Sequence, residues 1–119
     1  MKFSDLVVLG STIIEFDPAV YLQDNCGCLI GMAAAAKTGL LDLVDGEVWK
    51  IFPWLHEKRY LPCPVCGVPY FTASASISCM AVHMWCEKIT FEQALDYIRS
   101  IEPQEQFTVE NEVLEHVTA

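Results

Sequence analysis

Positive charge is scarce in this chain of 119 residues: Lys and Arg number 7 against 16 Asp and Glu, for a net charge of −9. From Glu102 onward there are five acids and no Lys or Arg. A surface of that sign repels phosphate backbones, so direct nucleic-acid binding is disfavoured and a basic protein partner is favoured. Lys58-Arg59 is a local basic patch against that trend. Charge of either sign is sparse, at 19% against 53% hydrophobic residues, which excludes wholesale disorder and predicts one well-buried domain. Long apolar runs are missing too. The longest uncharged one, Cys26 to Ala36, falls far short of the roughly 20 residues a membrane helix needs.

Other absences narrow the chemistry. There is no glycine-rich phosphate loop, no Ser-centred elbow and no internal repeat. Asp5 follows Lys2, Gly10-Ser11-Thr12 breaks the apolar segment, and no small-residue cleavage site follows; this predicts a mature N-terminus and a cytoplasmic protein. Six cysteines without a secretion signal then argue for metal or redox chemistry over a disulfide framework.

The periodicity predicts an α+β, predominantly helical domain over 1–103, with a zinc-knuckle-like loop and an acidic segment over 104–119. Ser4 caps a helix with the stripe Leu6, Leu9, Ile13 and Phe16. Asp17-Pro18 opens a short second helix to about Gln23, and Asp24 to Gly27 is a turn. Cys28 to Thr38 is a buried helix ended by Gly39, with small residues Gly31, Ala34 and Ala35 on one side for close packing. Asp45-Gly46-Glu47 starts an amphipathic helix that Pro53 ends or bends. Trp54, Leu55 and Tyr60 read as a core-covering loop or a recognition surface. Tyr70 to Ile77 permits a hairpin, and Ile77 to Glu87 is helical. Thr90-Phe91-Glu92-Gln93 is a capping box for a helix with Ala94, Leu95, Ile98 and Ile101 on one face, stopped by Pro103.

The chemistry centres on Cys63-Pro64-Val65-Cys66-Gly67. A Cys-x-x-Cys turn sets two thiolates one coordination edge apart, and structural Zn2+ needs two more ligands. Cys79 and His83, four apart on a helix, share a face; so do His83 and Cys86, three apart. Either pair closes a site, and Cys26 with Cys28 is a third option. Thiol–disulfide exchange at Cys63 and Cys66 is the rival reading, but that chemistry places its cysteine at a helix N-terminus, and here Gly67, Val68 and Pro69 follow at once. A zinc deaminase needs His-x-Glu upstream of its Pro-Cys-x-x-Cys; His56-Glu57 is adjacent instead and too close to Cys63. Glu110/Glu112 and Asp42/Asp45 read as solvated acids.

The order of these features resembles a group of small uncharacterised proteins from bacteria and their phages. The matching pieces are Cys28 to Ala34, then Cys63-Pro64-Val65-Cys66, then His83-Met84-Trp85-Cys86 leading to Thr90-Phe91-Glu92-Gln93-Ala94-Leu95. The third piece keeps only the His of a His-Leu-Asn-Asp-like segment. The resemblance implies a phage-type accessory protein, and brings no known activity. The expected function is a non-enzymatic, zinc-stabilised factor that modulates a host or viral protein with a basic surface through its acidic face, in its sharpest form as a DNA mimic. A self-associating virion or assembly protein, and a thiol or zinc enzyme, are the alternatives.

Overall fold

Residues 1–107 are described by a computed structural model, and five α-helices organise them. They are α1 (Phe3–Gly10), α2 (Leu29–Thr38), α3 (Asp45–Ile51), α4 (Ala73–Trp85) and α5 (Phe91–Ile101). A short 3-10 helix, Pro53–His56, follows α3. Strands β1 (Glu15–Phe16) and β2 (Cys26–Gly27) pair in parallel, Glu15 opposite Cys26 and Phe16 opposite Gly27. The domain is therefore α+β and predominantly helical, as its periodicity predicts. No described helix is long and apolar enough to cross a membrane.

Helices α1 and α2 are the packing centre. Phe3, Leu6 and Val7 on α1 and Leu29, Ile30 and Ala33 to Ala36 on α2 are wholly buried. The two backbones meet at Gly10, where an added Cβ would lie 1.8 Å from the Met32 carbonyl oxygen. Gly31 gives the other face of α2 the same closeness, to the Tyr21 carbonyl, so the small-residue face is used for packing within the chain. Gly39 ends α2 in the left-handed region at φ 77° and donates to the Ala35 carbonyl. Phe3 also meets Phe52 and Trp54 edge-on, each with ring centroids 5.0 Å apart. Trp54 and Leu55 are thus core, not a recognition surface.

The far end of the chain closes on this pair. Buried Glu102, just after α5, accepts from Ser4 N at 2.7 Å and Ser4 Oγ at 2.8 Å. A carboxylate there satisfies a free amide of α1 and faces the positive end of its dipole. Phe107 N donates to Met1 O, the Met1 amino group donates to Phe107 O at 3.0 Å, and the Phe107 ring packs on Phe52.

Four local expectations are corrected. The first helix stops at Gly10, because the Ser11 and Thr12 hydroxyls take the Val8 and Leu9 carbonyls and turn the chain before Ile13 and Phe16. Its N-cap is Lys2, whose amide donates to Asp5, not Ser4. No helix forms over Pro18 to Gln23: the Asp17 carboxylate caps only the Ala19 amide, and Cys28 N bonds back to Val20 O. The hairpin over Tyr70 to Ile77 is absent, since Thr72 accepts from Ala75 N and starts α4 there. Within the acidic segment, Val109, Val113, Leu114, Val117 and the pair Glu110/Glu112 lie outside the described residues.

Candidate metal centre

The Cys-x-x-Cys turn is carried by a hairpin that lies earlier in the chain than Tyr70 to Ile77. Arg59 N donates to Phe71 O at 2.9 Å, Leu61 N to Tyr70 O at 2.8 Å and Cys63 N to Val68 O at 2.9 Å. Leu61 and Cys63 face inward and are buried, while Tyr60 and Pro62 face out. Pro62 has no amide to give and falls between two donating positions, so it costs the ladder nothing. At the tip, Gly67 sits at φ 75° and donates to the Cys63 carbonyl at 2.9 Å, a left-handed turn that suits glycine. The alternation of Leu61 and Cys63 with Tyr60 and Pro62 is the signal that could have located it.

The hairpin lays its two sulfurs against α4. Ligand atoms of Cys63, Cys66, Cys79 and His83 all lie within 4.8 Å of one another. Cys66 Sγ is 3.7 Å from Cys79 Sγ, and Cys79 Sγ is 3.4 Å from His83 Nε2. A tetrahedral ion with bonds of about 2.3 Å to sulfur and about 2.0 Å to nitrogen has edges of about 3.8 Å and about 3.5 Å. The Cys66–Cys79 and Cys79–His83 contacts stand at those separations and the remaining pairs lie within 4.8 Å, so the four side chains can close on a metal ion. Cys63 and His83 are buried, Cys79 is half-buried and Cys66 is exposed.

The thiols are strongly differentiated. The Val68 amide directed at its sulfur, followed by the His83 ring and the Cys63 and Cys79 side chains, lowers the Cys66 thiol to about 6. Burial first, and then the neighbouring Cys63 and Cys66, push Cys79 up to about 11, with the Tyr70 hydroxyl pulling the other way. The same contact with Cys79, with burial behind it, raises Tyr70 to about 12. Thiolates this close repel one another, and a divalent ion among them would supply the compensating charge.

The candidate ligands thus separate. Cys63, Cys66, Cys79 and His83 come together, whereas Cys86 does not join them. Helix α4 ends at Trp85, and Cys86 is an exposed residue at its C-terminus, followed by Glu87 at φ 59°. At about 100° per residue, Cys79 and His83 point about 40° apart and His83 and Cys86 about 60° apart. The hairpin approaches on the Cys79 side. Cys26 lies in β2 and Cys28 is the N-cap of α2; burial raises the Cys28 thiol, and burial with Glu15, Asp17 and Asp24 raises that of Cys26.

An open cavity of about 640 Å³ adjoins the cluster, lined by Tyr21, Trp49, His56, Tyr70 and Cys79 among others. The Trp49 and His56 rings lie 3.8 Å apart between centroids, and Tyr21 meets Trp49 edge-on. No acid occurs between Glu57 and Glu87, so the hairpin and α4 carry none of the chain's 16 carboxylates. No family model matches this chain, and no curated protein or solved structure matches it either.

Proposed function

We propose that Cys63, Cys66, Cys79 and His83 hold a structural zinc ion, and that the protein is a non-enzymatic binding factor whose acidic surface meets a basic protein partner. The observation that carries this reading is the completeness of the ligand set: four protein side chains lie within 4.8 Å. A catalytic zinc keeps one position open for water or substrate; a closed Cys3His set does not. Thiolate with imidazole also suits zinc better than the hard, oxygen-seeking cations. The partner reading rests on the net charge of −9 and on its distribution, with every carboxylate outside the clasp.

A thiol–disulfide exchanger is the second reading, favoured by the exposed Cys66 and its low-lying thiol. Against it, Cys63 and Cys66 sit in a hairpin turn with no helix dipole behind them.

Metal content by mass spectrometry of the native protein is the test. One zinc per chain is expected, lost in Cys66→Ser and kept in Cys86→Ser. Freshly purified protein without metal, or a Cys86→Ser variant that loses it, sinks the assignment. Salt-sensitive retention of basic proteins on the immobilised chain tests the partner; no retention at low salt removes that half of the reading.

A further inference from the structure

The clasp is unevenly protected. Cys63 is 2% exposed, while Cys66 stands in solvent at the hairpin tip. That exposed sulfur is in direct contact with a sulfur from the other element, Cys79 of α4, at 3.7 Å. The accessible thiolate and its partner thus come from the two pieces that the metal joins.

We infer that Cys66 is a peroxide-oxidation site and that Cys79 resolves it, so that a Cys66–Cys79 disulfide replaces the metal as the tie between the hairpin and α4. The inference rests on the metal reading above and adds the regulation of that site. In the first step the Cys66 thiolate attacks a peroxide oxygen; the O–O bond breaks, Cys66 becomes a sulfenic acid and hydroxide leaves. In the second, the Cys79 thiolate attacks the Cys66 sulfur, the S–S bond forms and a second hydroxide leaves. The two thiolates lose two electrons, the peroxide gains them, and solvent protons convert both hydroxides to water. The metal ion is left with Cys63 and His83 alone and departs.

The pairing distinguishes this from damage. A disulfide within Cys63-Pro64-Val65-Cys66 would leave α4 untied. A Cys66–Cys79 bond keeps the hairpin docked on α4, so the oxidised, metal-free protein stays ordered there.

The experiment uses the full chain with Cys86→Ser, which removes the other exposed thiol near the site. The metal-loaded protein is treated with equimolar hydrogen peroxide. Released metal is read with a chromogenic chelator, and the crosslink is mapped by non-reducing proteolysis and mass spectrometry. One metal ion released per Cys66–Cys79 crosslink is expected, with both reversed by dithiothreitol and added zinc. The oxidised form is expected to melt well above reduced protein stripped by chelator. Metal retained under peroxide, release without a crosslink, or release with a Cys63–Cys66 bond overturns the latch and leaves the metal clasp standing. A protein that takes up no metal yet forms the Cys66–Cys79 crosslink overturns the clasp instead.

Discussion

The α1–α2 pair and the hairpin over residues 59–71 differ in how deeply their side chains are buried. On α1 and α2 nearly every inward side chain is wholly buried, and the backbones touch at Gly10 and Met32. That is close packing of the kind that sustains itself. In the hairpin only Leu61 and Cys63 are buried; Tyr60, Val65, Val68 and Phe71 stand exposed. Its Cys63 and Cys66 face an α4 that brings two more candidate ligands, Cys79 and His83, up to them. A small core can fix one part of a chain and leave another to a metal, and two of the four candidate ligands lie in the sparsely buried hairpin. Charge follows the same division, since the carboxylates lie outside the hairpin and α4.

The largest expected effect comes from removing the metal. The hairpin amides of Arg59, Leu61, Cys63 and Gly67 should lose about a hundredfold or more of their hydrogen-exchange protection under chelation. The amides of α1 and α2 should keep theirs. If both sets lose protection together, the two regions are one cooperative unit and the comparison breaks. Acid should act in the same direction. The Cys66 thiol is held at about 6, well below the ordinary thiol range, chiefly by the Val68 amide. Its ionised form therefore stabilises the folded metal-free state fully above the ordinary thiol value, and that contribution is lost as pH falls through about 6. The same proton competes with metal, so metal titrations should weaken steadily from pH 8 to about pH 5.

Much of this division was legible in the sequence, and the failures are informative. Helix α2 was readable from Gly39, and α5 from Thr90 and Gln93, because a cap and a breaker act within one turn of their own position. The Cys-x-x-Cys turn with Cys79 and His83 was readable because helical spacing puts the last two on one face. Cys86 satisfied the same rule; only the side from which the hairpin arrives excludes it, and that is tertiary. The extension of α1 beyond Gly10 followed a correct apolar period and missed the Ser11 and Thr12 hydroxyls that end it. Glu102 on the α1 terminus could not be read, since 98 residues separate it from Ser4.

A smaller effect, confined to the packed region, should follow Gly10→Ala. The new Cβ would lie 1.8 Å from the Met32 carbonyl oxygen, a backbone atom that cannot step aside without moving α2. A cost of about 3 kcal/mol in urea unfolding is expected. Metal stoichiometry should stay at one, because the change is remote from the clasp. Loss of metal in this variant would show that the α1–α2 packing also sets the ligand positions.

The smallest effect tests an element that serves both regions. Helix α5 packs on α4 and α1, burying Ala94, Leu95 and Ile98, and its start is fixed by a reciprocal pair. Thr90 Oγ1 accepts from Gln93 N at 3.1 Å, and Gln93 Oε1 accepts from Thr90 N at 2.8 Å. Thr90→Ala removes one acceptor from an exposed helix end, where water partly replaces it, so about 1 kcal/mol should be lost. Gln93→Ala should cost less, and the double variant less than the sum, because each side chain holds the other in place. Both variants should lower the urea midpoint while leaving metal affinity and the exchange of the Cys63 and Gly67 amides unchanged. A change at those two amides would mean that the fraying of α5 reaches the clasp through α4, and that the hairpin depends on the helical core as well as on its metal.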